Sequence, residues 1–171
     1  MIEIHAARPE DGPGILEIVS RIDIFNSAEK ACVQELWNDY LNKQNMSGYS
    51  FLVCHEGKRV VGFACYGPHP LTTSTYDLHW IAVHPEMQGK GIGRALLTSV
   101  EAGVQAVGGT LLVIETSGKP EYRATRRFYE ACGYQCQATI HDFYTMGDDL
   151  VIFVKYLNGQ LAAAHSVQQA A

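Results

Sequence analysis

Residues 88–94 read Gln88, Gly89, Lys90, Gly91, Ile92, Gly93 and Arg94, and their types and spacing suit the holding of a phosphate group. Residues 78–83 before them have the composition of a strand, and residues 95–101 after them that of a helix. The first N–H groups of a helix lack an intrahelical acceptor and point outward. The helix dipole adds roughly half a positive charge at that end. Glycines at 89, 91 and 93 remove side chains that would keep a pyrophosphate from those amides. Lys90 and Arg94 bring full positive charge nearby. The spacing also discriminates. A dinucleotide fold needs Gly-x-Gly-x-x-Gly with an acidic residue about twenty positions on, whereas here the pattern is Gly-x-Gly-x-Gly. The P-loop pattern Gly-x4-Gly-Lys-Ser/Thr is absent.

Other chemistry is sparse. The seven histidines form no metal-ligand spacing with the five cysteines, so no metal is expected. Cys132 and Cys136 straddle the end of an expected helix and read as buried thiols. No Cys/His/Asp arrangement suggests a covalent acyl-enzyme.

The elements that must position the turn follow from periodicity. Residues 2–6 alternate and predict a first strand. Pro9, Glu10 and Asp11 open a helix whose buried stripe is Ile15, Leu16, Ile18, Val19 and Ile22. Asn26 with Glu29 predicts a capping box for a second helix to about residue 41. Residues 50–55 and 59–66 predict a hairpin around Glu56, Gly57 and Lys58. A strand over 76–83, the turn, and a helix to about 107 follow. Residues 110–115 form a nearly continuous apolar run, as expected of a strand covered on both faces. A helix over 121–132 is closed by Gly133, and strands over 134–144 and 150–156 finish the fold. The order β-α-α-β-β-β-α-β-α-β-β predicts one α/β domain over residues 1–157. Residues 158–171 are expected to be a frayed tail or a helix against a partner subunit.

Composition sets the outer limits. A chain of 171 residues with 47% apolar and 18% charged residues suits a globular domain with a real core. The longest apolar runs are strand-length, so no membrane span is expected. A net charge of −5 argues against a nucleic-acid partner. An odd number of scattered cysteines without a secretory leader points to reduced thiols in a cytoplasm.

Gln88, Gly91 and Gly93 in the pattern Gln/Arg-x-x-Gly-x-Gly/Ala resemble the pyrophosphate-binding signature of the GNAT superfamily of N-acetyltransferases, which use acetyl-CoA. The strand Trp80-Ile81-Ala82-Val83-His84-Pro85 before the turn fits the same pattern. So do Phe128-Tyr129-Glu130-Ala131-Cys132-Gly133-Tyr134 and the closing Asp148-Asp149-Leu150-Val151-Ile152-Phe153-Val154-Lys155. The resemblance covers about residues 48–157 by motif and residues 1–47 by element order. It implies a mixed, mostly antiparallel sheet, splayed between its fourth and fifth strands and flanked by about four helices.

The resemblance also implies roles. The main chain of Ile81, Ala82 and Val83 would pair with the pantetheine arm of CoA, and Gln88, Gly89, Lys90, Gly91, Ile92, Gly93 and Arg94 would cradle its pyrophosphate. Tyr129 matches the tyrosine beside the CoA sulfur, where a phenol can protonate the departing thiolate. Tyr122, Thr125, Arg126 and Tyr129 fall at i, i+3, i+4 and i+7 on one helix face, which makes Arg126 a further cofactor-binding candidate. Many members carry Asn where this chain has Tyr122, so that contact is not carried over. An ammonium acceptor must lose a proton before it attacks. Glu115, at the end of an apolar run where burial would raise its pKa, is the first candidate base. Asp77 and His79, on one face of the CoA strand with Trp80 on the other, and a water chain are the alternatives. Trp37, Tyr40, Tyr76, Trp80, Phe143 and Tyr144 line either an acceptor pocket or the core and a homodimer interface. The expected activity is direct acetyl transfer in a ternary complex to a primary amine of a small molecule or peptide. The other reading is an acyl-CoA-binding sensor domain without turnover.

Overall fold

A computed structural model describes residues 2–43 and 48–158. The expected tail beyond residue 158, and its pairing with a partner subunit, lie outside the described residues. The order is β1 (Ile2–Ala6), α1 (Gly12–Ser20), α2 (Ser27–Lys43), β2 (Ser50–Glu56), β3 (Arg59–Pro68), β4 (Thr75–Val83), α3 (Ile92–Ala106), β5 (Leu111–Ser117), α4 (Arg123–Ala131), β6 (Gln135–Thr145) and β7 (Asp148–Tyr156). The strands run in the order β1-β2-β3-β4-β5-β7-β6, with β4 parallel to β5 and the rest antiparallel. Among the described residues, the expected mixed sheet with four helices is what forms. No helix of the described residues is long and apolar enough to cross a membrane. The chain divides into two compact units, Met1–Pro68 with Leu78–Ala102, and His69–Asp77 with Gly103–Ala171.

In the first unit, β1, β2 and β3 are a meander, with Ile2↔Glu56 through Ala6↔Leu52 and Ser50↔Tyr66 through Glu56↔Arg59 in register. Gly57, at φ 63°, makes the tight hairpin turn. Helix α2 begins at the expected box: the Asn26 N–H donates to Glu29 Oε2 at 2.8 Å, and the Glu29 N–H donates to Asn26 Oδ1 at 2.9 Å. Ile15, Ile18 and Val19 of α1 and Val33 and Trp37 of α2 pack with Phe51, Val53, Phe63 and Cys65 of β2 and β3. Ile92 and Leu96 of α3 pack with Cys54, Val61 and Met87 in a second cluster. Both faces of β3 are therefore covered, and its residues 60–65 are all buried.

In the second unit, β5 pairs with β7 from Leu111↔Tyr156 to Ser117↔Leu150, and β6 adds to the far side of β7. The continuous apolar run of β5 does not mean two covered faces. Leu112, Ile114 and Thr116 are buried, Leu111 and Val113 are half-buried, and Glu115 is exposed. Strand β6 is exposed along its whole length, with Ile140, Phe143 and Tyr144 at the surface. The expected helix over 121–132 is shorter, because residues 120–122 form a 3-10 turn and α4 starts at Arg123. Gly133 closes α4 at φ 87°, with the Tyr134 N–H donating to the Tyr129 carbonyl at 3.0 Å. Cys132 is half-buried and Cys136 exposed, so they are not the buried thiol pair expected.

Two buried groups make stability pH-dependent. Burial, and secondarily Cys32, pushes the Cys65 thiol up, and burial, with Cys132 beside it, pushes the Tyr129 phenol up. Both hold their protons more tightly folded than unfolded. Their stabilisation is complete below the ordinary values, about 8.5 for a thiol and about 10 for a phenol, and is lost as pH rises beyond them. The urea midpoint is expected to fall between about pH 8 and about pH 10.5, and an unchanged midpoint would contradict this account.

Candidate active site

Strand β4 ends where the His84 N–H donates to the Val61 carbonyl at 2.9 Å, and residues 85–87 make one 3-10 turn. Gly89 and Gly91 then adopt φ 76° and 81°, and α3 starts as the Ala95 N–H reaches the Gly91 carbonyl at 3.0 Å. A left-handed φ is costly for residues with a Cβ, which is why glycine stands at both positions. A Cβ at either would meet nothing within 4 Å, so the space over the turn is open. The N–H groups of Ile92 and Gly93 precede the first intrahelical donor and remain available to a ligand. Gly93 is helical, so there only the missing side chain matters. Lys90 and Arg94 are exposed on this end of the helix. Open left-handed glycines, helix amides and two cations together fit a pyrophosphate.

The turn is braced from behind. Gln88 Nε2 donates to the Val83 carbonyl at 3.2 Å, closing the loop onto β4. His84, which the sequence shows only as a strand end before proline, is 1% exposed. Its Nδ1 accepts from the Glu86 N–H at 3.3 Å, and its Nε2 lies 2.8 Å from Arg59 Nη2, which also reaches Glu86. Opposite, Gly62 lets α3 approach closely, since a Cβ there would meet Leu96 Cδ1 at 3.0 Å, Ile92 Cγ2 at 3.1 Å and the Ala82 carbonyl at 3.2 Å. Ala82 is buried, and Ile81 and Val83 are half-buried against Ile92 and Leu96. Their side chains thus serve the core and leave recognition to the backbone.

In the second unit, Tyr129 is 5% exposed, its ring held by Phe128, Tyr134 and Phe153 at centroid distances of 5.4, 6.2 and 5.8 Å. Its hydroxyl makes no hydrogen bond among the described residues. Arg126 is half-buried, and its Nη1 donates to the carbonyls of Ser117 at 2.6 Å and Lys119 at 2.9 Å. That assigns Arg126 to bracing the loop after β5 rather than to offering its whole guanidinium to a ligand. Glu115 is exposed, which removes the burial expected to tune it. Asp77 is paired with His69, a residue the sequence did not single out, through Nδ1 at 2.8 Å from Oδ2 and 3.0 Å from Oδ1. No local sequence signal links residues eight apart across a loop.

His79 sets its ring edge-on to Tyr49 at 5.3 Å, and Trp80 does so to Phe25 at 5.1 Å. Tyr49 and Phe25 pack on the same cluster, so the contacts of 79 and 80 depart from the strict alternation expected. Trp37, Tyr40 and Trp80 belong to that cluster, while Phe143 and Tyr144 are exposed. Among the described residues no group of three or more His, Cys, Asp or Glu is placed to hold a metal ion.

Residues 47–136, which include both the turn and Tyr129, match the acetyltransferase (GNAT) domain. The chain belongs to the GNAT family of acetyltransferases. A GNAT-family protein from Desulfovibrio desulfuricans shares 39% identity and superposes with a TM-score of 0.89, over 92% of this chain and 99% of that one. The L-amino acid N-acyltransferase MnaT of Escherichia coli is 30% identical over 115 residues, 57% of this chain and 59% of that protein. The match thus spans less than two thirds of MnaT. A Salmonella typhimurium structure solved with its cofactor acetyl-CoA shares the fold at 23% identity and TM-score 0.72, over 94% of this chain and 96% of that one.

Proposed function

We propose that this GNAT domain moves an acetyl group from acetyl-CoA to a primary amine of a small molecule or peptide, by direct attack in a ternary complex. The observation that carries the reading is the open turn, with left-handed Gly89 and Gly91 leading into the available amides of Ile92 and Gly93. These groups, with Lys90 and Arg94, hold the CoA pyrophosphate, and Gln88 keeps the turn in shape. The backbone of Ile81, Ala82 and Val83 pairs with the pantetheine arm.

The amine nitrogen attacks the thioester carbonyl, the C–N bond forms and the C–S bond breaks. The adduct nitrogen gives up one N–H proton to water, the thiolate takes the Tyr129 proton, and solvent returns a proton to the phenol, leaving amide and CoA thiol. Tyr129 suits this step because its ring is fixed by three aromatic neighbours while its hydroxyl is uncommitted. Free L-amino acids are the first acceptors to try, on the strength of the likeness to MnaT.

The test is CoA release, followed with a thiol reagent, from acetyl-CoA and a panel of L-amino acids, polyamines and short peptides. Saturable release with at least one amine, matched by the N-acetyl product, is expected. Tight CoA binding without turnover on any amine would instead support a sensor domain.

A further inference from the structure

We infer that Arg126 and Asp148 are positioning residues for Tyr129: together they clamp the loop 117–119 that leads into α4, and so set where the phenol oxygen stands. The inference rests on the acetyl-transfer reading with Tyr129 as proton donor, and adds what holds that donor in place.

The clamp closes from two sides. From α4, Arg126 Nη1 donates to the carbonyls of Ser117 at 2.6 Å and Lys119 at 2.9 Å. From β7, one oxygen of Asp148 accepts from the Ser117 hydroxyl, and the other lies 3.2 Å from Lys119 Nζ. The Ser117 hydroxyl oxygen in turn accepts from the Lys119 N–H at 3.1 Å, and the Gly118 N–H donates to the Asp149 carbonyl at 2.7 Å. The loop sits tightly, since a Cβ at Gly118 would meet Asp149 Cβ at 2.9 Å. Asp148 is 7% exposed, and a carboxylate is costly to bury unless partners meet it. Here the loop meets both of its oxygens.

The sheet does not need this clamp. Strands β5 and β7 already pair from Leu111↔Tyr156 to Ser117↔Leu150, and the clamp begins at the last of those pairs. What it holds is α4, which has little of its own to fix it. The helix has 9 residues, no side-chain cap and no acidic residue in its first turn. So short a helix is marginal without tertiary contacts. A cation near the start of a helix also opposes the dipole, so Arg126 weakens the helix locally and is repaid by the loop carbonyls.

Tyr129 follows Arg126 by three residues and shares its helix face. Beyond it, Lys155 Nζ donates to the Cys132 carbonyl at 3.0 Å and ties the C-terminal end of α4 to β7. The Tyr129 ring packs on Phe153 and Tyr134 at centroid distances of 5.8 and 6.2 Å. Such dispersion contacts are many and weak, and they do not fix one atom to one place. Arg126 supplies the directional tie at the other end, so without it α4 can pivot about its Lys155 tie and carry the phenol with it. Proton donation works over a heavy-atom distance of about 2.6–3.2 Å. A misplacement of about 1 Å can cost about 10²-fold.

The experiment uses the full chain with acetyl-CoA and the best amine from the panel. Arg126→Met keeps the aliphatic stem and removes the fork. It is expected to lower kcat by about 10-fold, with the KM for acetyl-CoA within about threefold of wild type. In a Tyr129→Phe background the same substitution should cost less than about threefold, because a donor that is gone cannot be misplaced. Arg126→Lys, a point donor facing two carbonyls, should fall between wild type and Arg126→Met. Asp148→Asn keeps an acceptor for Ser117 but loses the charge facing Lys119, and should repeat the pattern more weakly. Losses that multiply fully with Tyr129→Phe would make the clamp a structural feature only and overturn the inference. So would wild-type kcat in Arg126→Met or, if that variant does not fold, in both Arg126→Lys and Asp148→Asn. Wild-type kcat in Tyr129→Phe would leave acetyl transfer standing and remove the donor, and this inference with it. Absence of turnover by the wild-type chain on every amine overturns acetyl transfer itself, and the positioning role too.

Discussion

Gly91→Glu is expected to weaken CoA binding by at least ~10²-fold, about 3 kcal/mol, in isothermal titration. Two effects act in the same direction. Gly91 sits at φ 81°, where any residue with a Cβ is strained by about 1–2 kcal/mol. A carboxylate there also opposes an anionic pyrophosphate at the end of the helix that carries the positive dipole. The space above the turn is open, so the new side chain meets no protein atom and the fold should survive. Two companions separate the effects. Gly91→Asn tolerates the left-handed backbone and carries no charge, so it should bind CoA more tightly than the Glu variant. Lys90→Glu reverses a charge on the exposed rim without changing a glycine, and should lose affinity in a salt-dependent way. If Gly91→Glu and Lys90→Glu both bound CoA as the wild type does, the turn would not be the pyrophosphate site.

The turn was legible in the sequence because its chemistry is local. Glycine spacing, the flanking cations and the switch from strand to helix periodicity all fall within residues 78–101. The Asn26–Glu29 box and the Gly133 cap were legible for the same reason, since each is set by backbone angles within one helical turn. What failed to show depends on contacts distant in sequence. The runs in β3 and β5 are both apolar, and composition cannot tell that helices cover both faces of β3 while Glu115 of β5 looks outward. Arg126 reads as a cation on a helix face, but the loop carbonyls it braces belong to Ser117 and Lys119. His84 is buried under the turn because Arg59, 25 residues earlier, arrives beside it. Asp77 was within reach of strand periodicity, whereas His69 required the path of the loop between them.

Tyr129→Phe should separate catalysis from packing more cleanly than any other single change. The phenol ring contacts Phe128, Tyr134 and Phe153, and all three contacts survive in phenylalanine. The hydroxyl has no partner to lose among the described residues, so stability is expected to change by less than about 0.5 kcal/mol. Affinity for CoA should also stay within about threefold, roughly 0.7 kcal/mol, because the amides proposed to hold the pyrophosphate lie elsewhere in the chain. The loss falls on turnover. Without a proton donor the departing group is a bare thiolate, and kcat should drop by about 10²-fold. Burial, with Cys132 beside it, holds the wild-type phenol protonated beyond its ordinary range, so this group causes no decline in rate up to about pH 10. A drop in CoA affinity and stability of the same size as the drop in kcat would make Tyr129 a packing residue and move the search for the acid elsewhere.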